Sequence, residues 1–331
     1  MIDLDSDEAL PLLAERLGRQ PNELRLTPLG GGVSNHVYLV EAEGLRCVAK
    51  QALGKLRVEQ DWYCSRSRIH SEAAAMRALG RALPAGAVPA LLFEDFDNGI
   101  IGMEAAPPDA QPWKGLLMQG VCDERPARRT GLLHAAWVRE SAQRPGWGEE
   151  FGDLQTFKDL RVDPYYRTTA ARHPDLAKHF ASLIEQCLER RVSLVHGDLS
   201  PKNLLVLDGA VTLIDHEVIH WGDPSFDAAF LTNHLILKGF YRPDLAGSLR
   251  LLARAYWDEL RSGAGAASLW IESAAVSHLG GLMLARVDGK SPVEYLDMSV
   301  RQRVRQQARE LIESPPASCD EAFERCFKSC A

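Results

Sequence analysis

Residues 194–206, LVHGDLSPKNLLV, place an aspartate and an asparagine at a spacing that can do chemistry: Asp198 closes His196-Gly197-Asp198, and Asn203 follows five positions later. Ser200 and Pro201 suit the stretch between them to a rigid loop, not a helix. Phosphoryl transfer needs a carboxylate that orients or deprotonates an attacking hydroxyl, and a nearby neutral oxygen that can ligate a metal ion. Asp198 and Asn203 can supply one each. Asp215, twelve residues further on, ends VTLID, and the apolar runs LLVL and VTLI are joined by Asp208-Gly209. A hairpin there would return Asp215 to the level of Asn203, and the two side chains would form an oxygen-rich site suited to Mg²⁺.

The same region spells a rival chemistry. HEVIH, residues 216–220, fits H-E-x-x-H, which holds zinc when both histidines lie on one face of a helix. Here the motif follows a strand, carries Val218 and Ile219, and runs directly into Trp221-Gly222-Asp223-Pro224, a poor context for a helix. Asp223 and Phe226 occupy the positions where a longer zinc-protease motif needs its glycine and third histidine. The strand-and-aspartate reading is the stronger one.

The elements that must position these groups read as two lobes. Residues 8–18 present Leu10, Leu13 and Leu17 at helical spacing. A strand, a glycine cluster, a second strand, a turn at Glu43-Gly44 and a third strand follow, then a helix over 67–80 expected to stop at Gly80. LLFEDF and GIIGMEAA form two more strands around Asp97-Asn98-Gly99. AAPPDAQPW, with its three prolines, is the boundary, giving an N-lobe over 1–105 and a C-lobe over 106–331. The C-lobe pattern is helical near 127–142, 174–190, 225–238, 243–262, 264–286 and 292–313, interrupted by a β-like island at 194–215.

Together these motifs resemble the aminoglycoside phosphotransferase and choline kinase superfamily, with His-Gly-Asp where protein kinases carry His-Arg-Asp. The resemblance covers most of the chain and implies an α+β, bilobal protein-kinase-like fold with a small β-rich N-lobe and a larger, mainly helical C-lobe. It implies an ATP- and Mg²⁺-dependent kinase acting on a hydroxyl of a small molecule. Asp198 matches the catalytic aspartate, and Asn203 and Asp215 match the metal ligands. Glu217 completes an Ile-Asp-x-Glu that many members share. GDPSFDAAF resembles a further family segment, in which Asp227 would hydrogen-bond the catalytic-loop backbone. On the nucleotide side, Gly30, Gly31 and Gly32 can bring backbone N–H groups to phosphates, with Ser34 and Asn35 as added donors. Lys50 stands as the phosphate lysine, Glu72 as its ion-pair partner and Glu59 as a weaker one. Backbone groups around Glu104–Ala106 would hold the adenine.

The acceptor is the less constrained part. FGDLQTFKDLRVDPYYR (151–167) and HLGGLMLARVDGKSPVEYL (278–296) resemble methylthioribose kinase members, which favours a sugar or polyol over an aminoglycoside or a choline-like amino alcohol. Asp163, Arg167, Arg286, Asp288 and Trp221 are candidates to line the acceptor pocket, and Arg161 shares their segment; ordinary ion pairs and packing explain them equally well. GTP stays open as donor. A non-catalytic nucleotide-binding relative would be expected to have lost Asp198, Asn203 or Lys50, and all three are present. No D-F-G or A-P-E segment follows Asp215, which argues against a protein substrate.

Bulk properties agree. A net charge of −7 with no basic tract argues against nucleic acid and anionic membranes as partners. The acidic start MIDLDSDEAL does not read as a signal peptide, the apolar stretch 264–287 carries Glu272, His278 and Arg286 and reads as a buried helix, and seven scattered cysteines fit free thiols in the cytoplasm. Cys319, Cys326 and Cys330 share one helical face, better suited to packing on the body or on the second subunit of a homodimer than to holding zinc.

Overall fold

The computed structural model describes residues 2–30, 32–58 and 61–330. Gly31 and Glu59, both named above, lie outside the described residues. The chain divides into two compact units: the chain through Pro108 together with Ile214–Val218, and Asp109–Leu213 together with Ile219 onward. The sequence pattern placed all of 106–331 in the second lobe. Residues 214–218 instead pack with the first unit, because the charged side chains of Asp215 and Glu217 find their buried partners there.

The first unit begins with helix α1 (Ala9–Leu17), ended by Gly18 at φ 64°. Strands β1 (Arg25–Pro28), β2 (Asn35–Ala42) and β3 (Leu45–Ala52) precede helix α2 (Arg68–Ala82), and β4 (Leu91–Asp95) and β5 (Ile100–Glu104) follow it. The five strands form one antiparallel sheet in the order β1-β2-β3-β5-β4. Alternation along β3 sorts its side chains by face. Cys47 and Ala49 join Leu13, Ala14 and Val40 in a buried apolar cluster, while Lys50 points the other way and bonds a residue of α2. Helix α2 buries Arg68, Ile69, Glu72, Ala73, Met76 and Leu79, a stripe at helical spacing that includes two charges. Gly80 does not end this helix, which continues to Ala82; an interior glycine costs only about 1 kcal/mol.

The second unit carries short strand β6 (Gln111–Pro112), helices α3 (Trp113–Met118), α4 (Glu124–Gln143) and α5 (Ala177–Glu189), and strands β7 (Ser193–Val195), β8 (Leu204–Leu207), β9 (Ala210–Leu213) and β10 (His220–Gly222). Helices α6 (Ser225–Tyr241), α7 (Ala246–Ala264), α8 (Ser268–Asp288), α9 (Met298–Glu313) and α10 (Cys319–Lys328) complete it. Strands β8 and β9 form the expected hairpin, in register from Leu204 opposite Leu213 to Leu207 opposite Ala210. Its two turn residues both have positive φ, Asp208 at 50° and Gly209 at 85°, the signature of the turn that matches strand twist. β7 pairs with β10, so His220 begins a strand and His216 lies in a single 3₁₀ turn; HEVIH does not form the α-helix that the zinc motif requires.

Helices α5 and α7 start three residues later than the sequence pattern suggested, each behind a one-turn 3₁₀ segment opened by Pro174 or Pro243, and α9 starts at Met298. Lys158–Arg167, left unassigned by the pattern, is a wide π-type helical stretch with Pro164 inside it. Cys319, Cys326 and Cys330 are buried against their own chain, and a methyl group at Gly239 of α6 would come within 3.0 Å of Cys330 Sγ. No helix among the described residues is long and apolar enough to cross a membrane.

Candidate active site

In the first unit, Lys50 sits at the centre of a buried charge cluster. Its Nζ lies 2.7 Å and 2.8 Å from the two Glu72 oxygens and 2.5 Å from Asp215 Oδ1. Burial alone would push the Lys50 ammonium down, but Asp215, Glu72 and Glu217 outweigh it and hold the proton more tightly than usual. Glu72 is pushed up to about 7 by burial, against the pull of Lys50. Asp215 reaches Lys50 from a backbone at φ 67°, a left-handed conformation that aspartate tolerates better than most residues. The expected Lys50–Glu72 pair is therefore present, and Asp215 joins it.

Glu217 has a different setting. It accepts from Ser34 Oγ at 2.8 Å, Asn35 Nδ2 at 2.9 Å and Arg68 Nε at 2.8 Å. Arg68 also donates to the Ser34 and Ser65 carbonyls and is 1% exposed. The side chains of Ser34 and Asn35, expected to face phosphate, are thus turned to Glu217, and Glu217, expected to face metal, is turned to Arg68. Arg68 was not among the sequence candidates, although it stands one helical turn before Glu72. Gly30 and Gly32 have open space where a side chain would stand, which leaves their backbone accessible. At the expected adenine position, the Glu104 N–H donates to the Ala90 carbonyl at 2.8 Å, the Ala105 N–H to the Arg46 carbonyl at 3.4 Å, and the Ala106 carbonyl accepts from Arg46.

In the second unit, the loop after β7 is clamped from below. Asp227, near the start of α6, accepts the His196 N–H at 2.6 Å and the Gly197 N–H at 2.9 Å, with Gly197 at φ 73°. Burial pushes Asp227 up to about 7, and the two N–H groups oppose that shift. The clamp presents Asp198, whose carboxylate lies 2.9 Å from Arg161 Nη2, 2.8 Å from Lys202 Nζ and 2.9 Å from Asn203 Nδ2. Arg161 also donates to the Gly197 carbonyl at 2.6 Å, so it holds both the loop and its carboxylate. Asn203 donates a second time to the Asp198 carbonyl at 2.9 Å, which makes Oδ1 the amide atom a cation can take. The Asn203 amide oxygen in this unit and the Asp215 carboxylate in the first are each hard oxygen donors of the kind that Mg²⁺ takes.

The acceptor candidates separate. Asp163 and Arg167 pair with each other at 2.6 Å on the surface. Asp288 binds Arg305 at 2.6 Å and His173 at 2.9 Å, and these partners hold its carboxyl below the usual carboxylate range against the upward push of burial, as a structural anion. Trp221 donates its indole N–H to the Arg191 carbonyl at 2.9 Å. These contacts are those of packing and surface pairing. Arg286 differs: it is 9% exposed, donates to Tyr165 Oη at 3.1 Å, and leaves Nε without a partner. Tyr165 stacks under both Arg286 and Arg161, at 5.6 and 5.7 Å from ring centre to guanidinium. That ring links Arg286 to the Asp198 cluster.

Comparison with known proteins agrees on the family. The model of the phosphotransferase enzyme family matches residues 25–265. Methylthioribose kinase 2 of Oryza sativa subsp. japonica is 28% identical over 262 residues, covering 70% of this chain and 61% of its own length. The methylthioribose kinase of Yersinia enterocolitica is 27% identical over 247 residues, covering 66% and 61%. This chain thus spans about three fifths of the length of these curated relatives. Among solved structures, an amicoumacin kinase complex aligns with a TM-score of 0.58 at 15% identity, covering 96% of this chain and 97% of its own. A choline kinase from Cryptosporidium parvum aligns at 0.56 and 13%, covering 97% and 100%. At such identities the structural likeness establishes a kinase-like fold.

Proposed function

The chain belongs to the phosphotransferase enzyme family, and we propose that it transfers the terminal phosphoryl group of ATP to a hydroxyl of a small molecule, with a sugar or polyol as acceptor. The observation that carries this reading is Asp198, held by Arg161, Lys202 and Asn203 on a loop whose backbone Asp227 clamps. A carboxylate fixed in this way can accept the acceptor's hydroxyl proton and aim its oxygen, which is most of what the protein must do in a reaction governed by positioning and charge. Arg161 and Lys202 offset the negative charge that Asp198 brings into a buried place.

Lys50, oriented by Glu72, is the group we assign to the nucleotide phosphates. Asn203 and Asp215 would hold Mg²⁺, which supplies charge neutralisation at the transferring phosphoryl group when bound. Glu217 is better supported as the brace that ties Ser34 and Asn35 to Arg68 than as a third ligand. The sugar or polyol preference rests on the methylthioribose kinases among the relatives.

The test is ADP release from MgATP across neutral sugars, sugar acids, sugar phosphates, amino alcohols and aminoglycosides, with wild type and Asp198→Asn. Acceptor-dependent ADP should fall by about 10²–10⁴-fold in the variant, the usual contribution of a positioned proton acceptor. Turnover unchanged by Asp198→Asn would defeat the reading.

A further inference from the structure

Helix α6 carries a lysine where a soluble protein rarely tolerates one. Lys238 is 2% exposed, and among the described residues no carboxylate lies within ion-pair distance of its Nζ. Its one hydrogen bond, to the His234 carbonyl, is 3.3 Å long, and the ammonium stands over the ring of Tyr295 at 5.7 Å. The charges that act on it are mostly of its own sign: Lys114 and Arg286 repel it, and Glu294 alone attracts it. Glu294 is itself engaged by Lys114 at 2.5 Å. Burial and this repulsion push the Lys238 ammonium down to about 7.

Two further donors nearby lack partners. Arg286 Nε and Tyr295 Oη are buried and bond nothing, and Arg286 acts on the charge of Lys238, His234 and Tyr295 alike. A buried donor with no acceptor costs about 1–3 kcal/mol, and two of them beside a buried ammonium whose one hydrogen bond is long, with excess positive charge, describe a receptor for a negative group. The receptor stands beside the catalytic loop. Phe230, one turn before His234 on α6, lies under Arg161, which holds Asp198. Lys202, on the other Asp198 oxygen, contributes to the positive field at His234.

From this juxtaposition we infer that the acceptor carries an anionic group, a carboxylate or a phosphate monoester, which Lys238, Arg286 and Tyr295 bind while its hydroxyl meets Asp198. The inference rests on the kinase reading for the role of Asp198 and deepens it. A sugar acid or a sugar phosphate fits; a cationic amino alcohol or aminoglycoside would meet repulsion.

The decisive experiment is calorimetric titration of the whole protein with ribose and methylthioribose as neutral arms, ribonate as the carboxylate arm, ribose 5-phosphate as the phosphate arm and kanamycin as the cationic arm. ADP release is followed with each compound. One acid arm should bind at least about tenfold tighter than ribose, as a charge-assisted contact to a buried cation allows, and which arm does so names the group. Lys238→Met, with folding checked by circular dichroism, should erase that advantage, and Arg286→Lys should weaken it. Equal affinity for acid and neutral arms in the wild type, or tightest binding of kanamycin, overturns the inference whether or not the variants fold. Selective acid binding without any ADP release would leave the anion site standing and sink the phosphotransfer reading. Equal turnover of neutral and acid sugars would do the reverse.

Discussion

Each unit buries a lysine, and the two lysines are treated in opposite ways. In the first, Lys50 meets Glu72 and Asp215, and Arg68 meets Glu217, so each buried cation has its counter-charge within 2.9 Å. In the second, Lys238 is as deeply buried and faces two cations and one occupied carboxylate. Removing a charge from water costs several kcal/mol, repaid only by a well-placed opposite charge. The matched network therefore fixes geometry within the protein itself. An unmatched cation opposes folding, and in the reading above the anionic group of a ligand supplies the partner it lacks. The comparison separates side chains that hold the site from side chains that await something in it.

Four measurements would break or sharpen that contrast. The largest effect is expected from Arg68→Met, which leaves Glu217 buried without its cation; urea unfolding should show a loss of about 3–5 kcal/mol, the usual result of breaking a buried pair on one side. Adding Glu217→Gln should recover part of that loss, and a neutral single variant would mean the network is not the brace described here. Lys238→Met should act in the opposite direction, raising stability at pH 7 by about 1–3 kcal/mol, because an apolar side chain of similar size removes an uncompensated buried charge.

That gain also has a pH signature. The folded lysine releases its proton near 7, whereas the unfolded one keeps it to about 10.4, so across this window the unfolded state binds more protons. The Lys238 contribution to stability thus improves as pH rises from 7 towards 10, in a setting that also includes Lys114, Arg286, Glu294, His234 and Tyr295. The stability difference between Lys238→Met and wild type should shrink over that range; a constant difference would show that Lys238 is solvated. The smallest effect belongs to Glu294→Gln. Its pair with Lys114 is largely exposed, so folding should shift by no more than about 1 kcal/mol, while the acid arm should bind a few fold tighter once the competing carboxylate is gone.

What could be read from the sequence was local. The β8–β9 hairpin follows from Asp208-Gly209 between two apolar runs, with Leu204 opposite Leu213 at its open end. Lys50 and Glu72 are readable because strand alternation and helix periodicity each put one charge on a buried face. Arg68 and Glu217, 149 residues apart, carry no such signal, since only the folded chain joins them. The π-type stretch at 158–167 hid Arg161 for a different reason: its wider winding breaks the 3.6-residue pattern by which a helix face is recognised. Lys238 was concealed by its surroundings, lying in a helix apolar nearly all round, where a single lysine passes for a surface residue. HEVIH shows the converse, a familiar spelling whose first histidine lies in a 3₁₀ turn and whose second opens a strand.

The return of residues 214–218 to the first unit also sets an order of assembly on the ribosome. When translation passes Pro108, every strand of the five-stranded sheet has been made, but Lys50 has only Glu72 to bond, and Arg68 has no Glu217. Synthesis of residues 109–213 takes roughly 5–20 s at ordinary elongation rates, and until it is over Glu217 is not available to Arg68. The part of the chain made first is thereby completed only after much of the second unit has emerged.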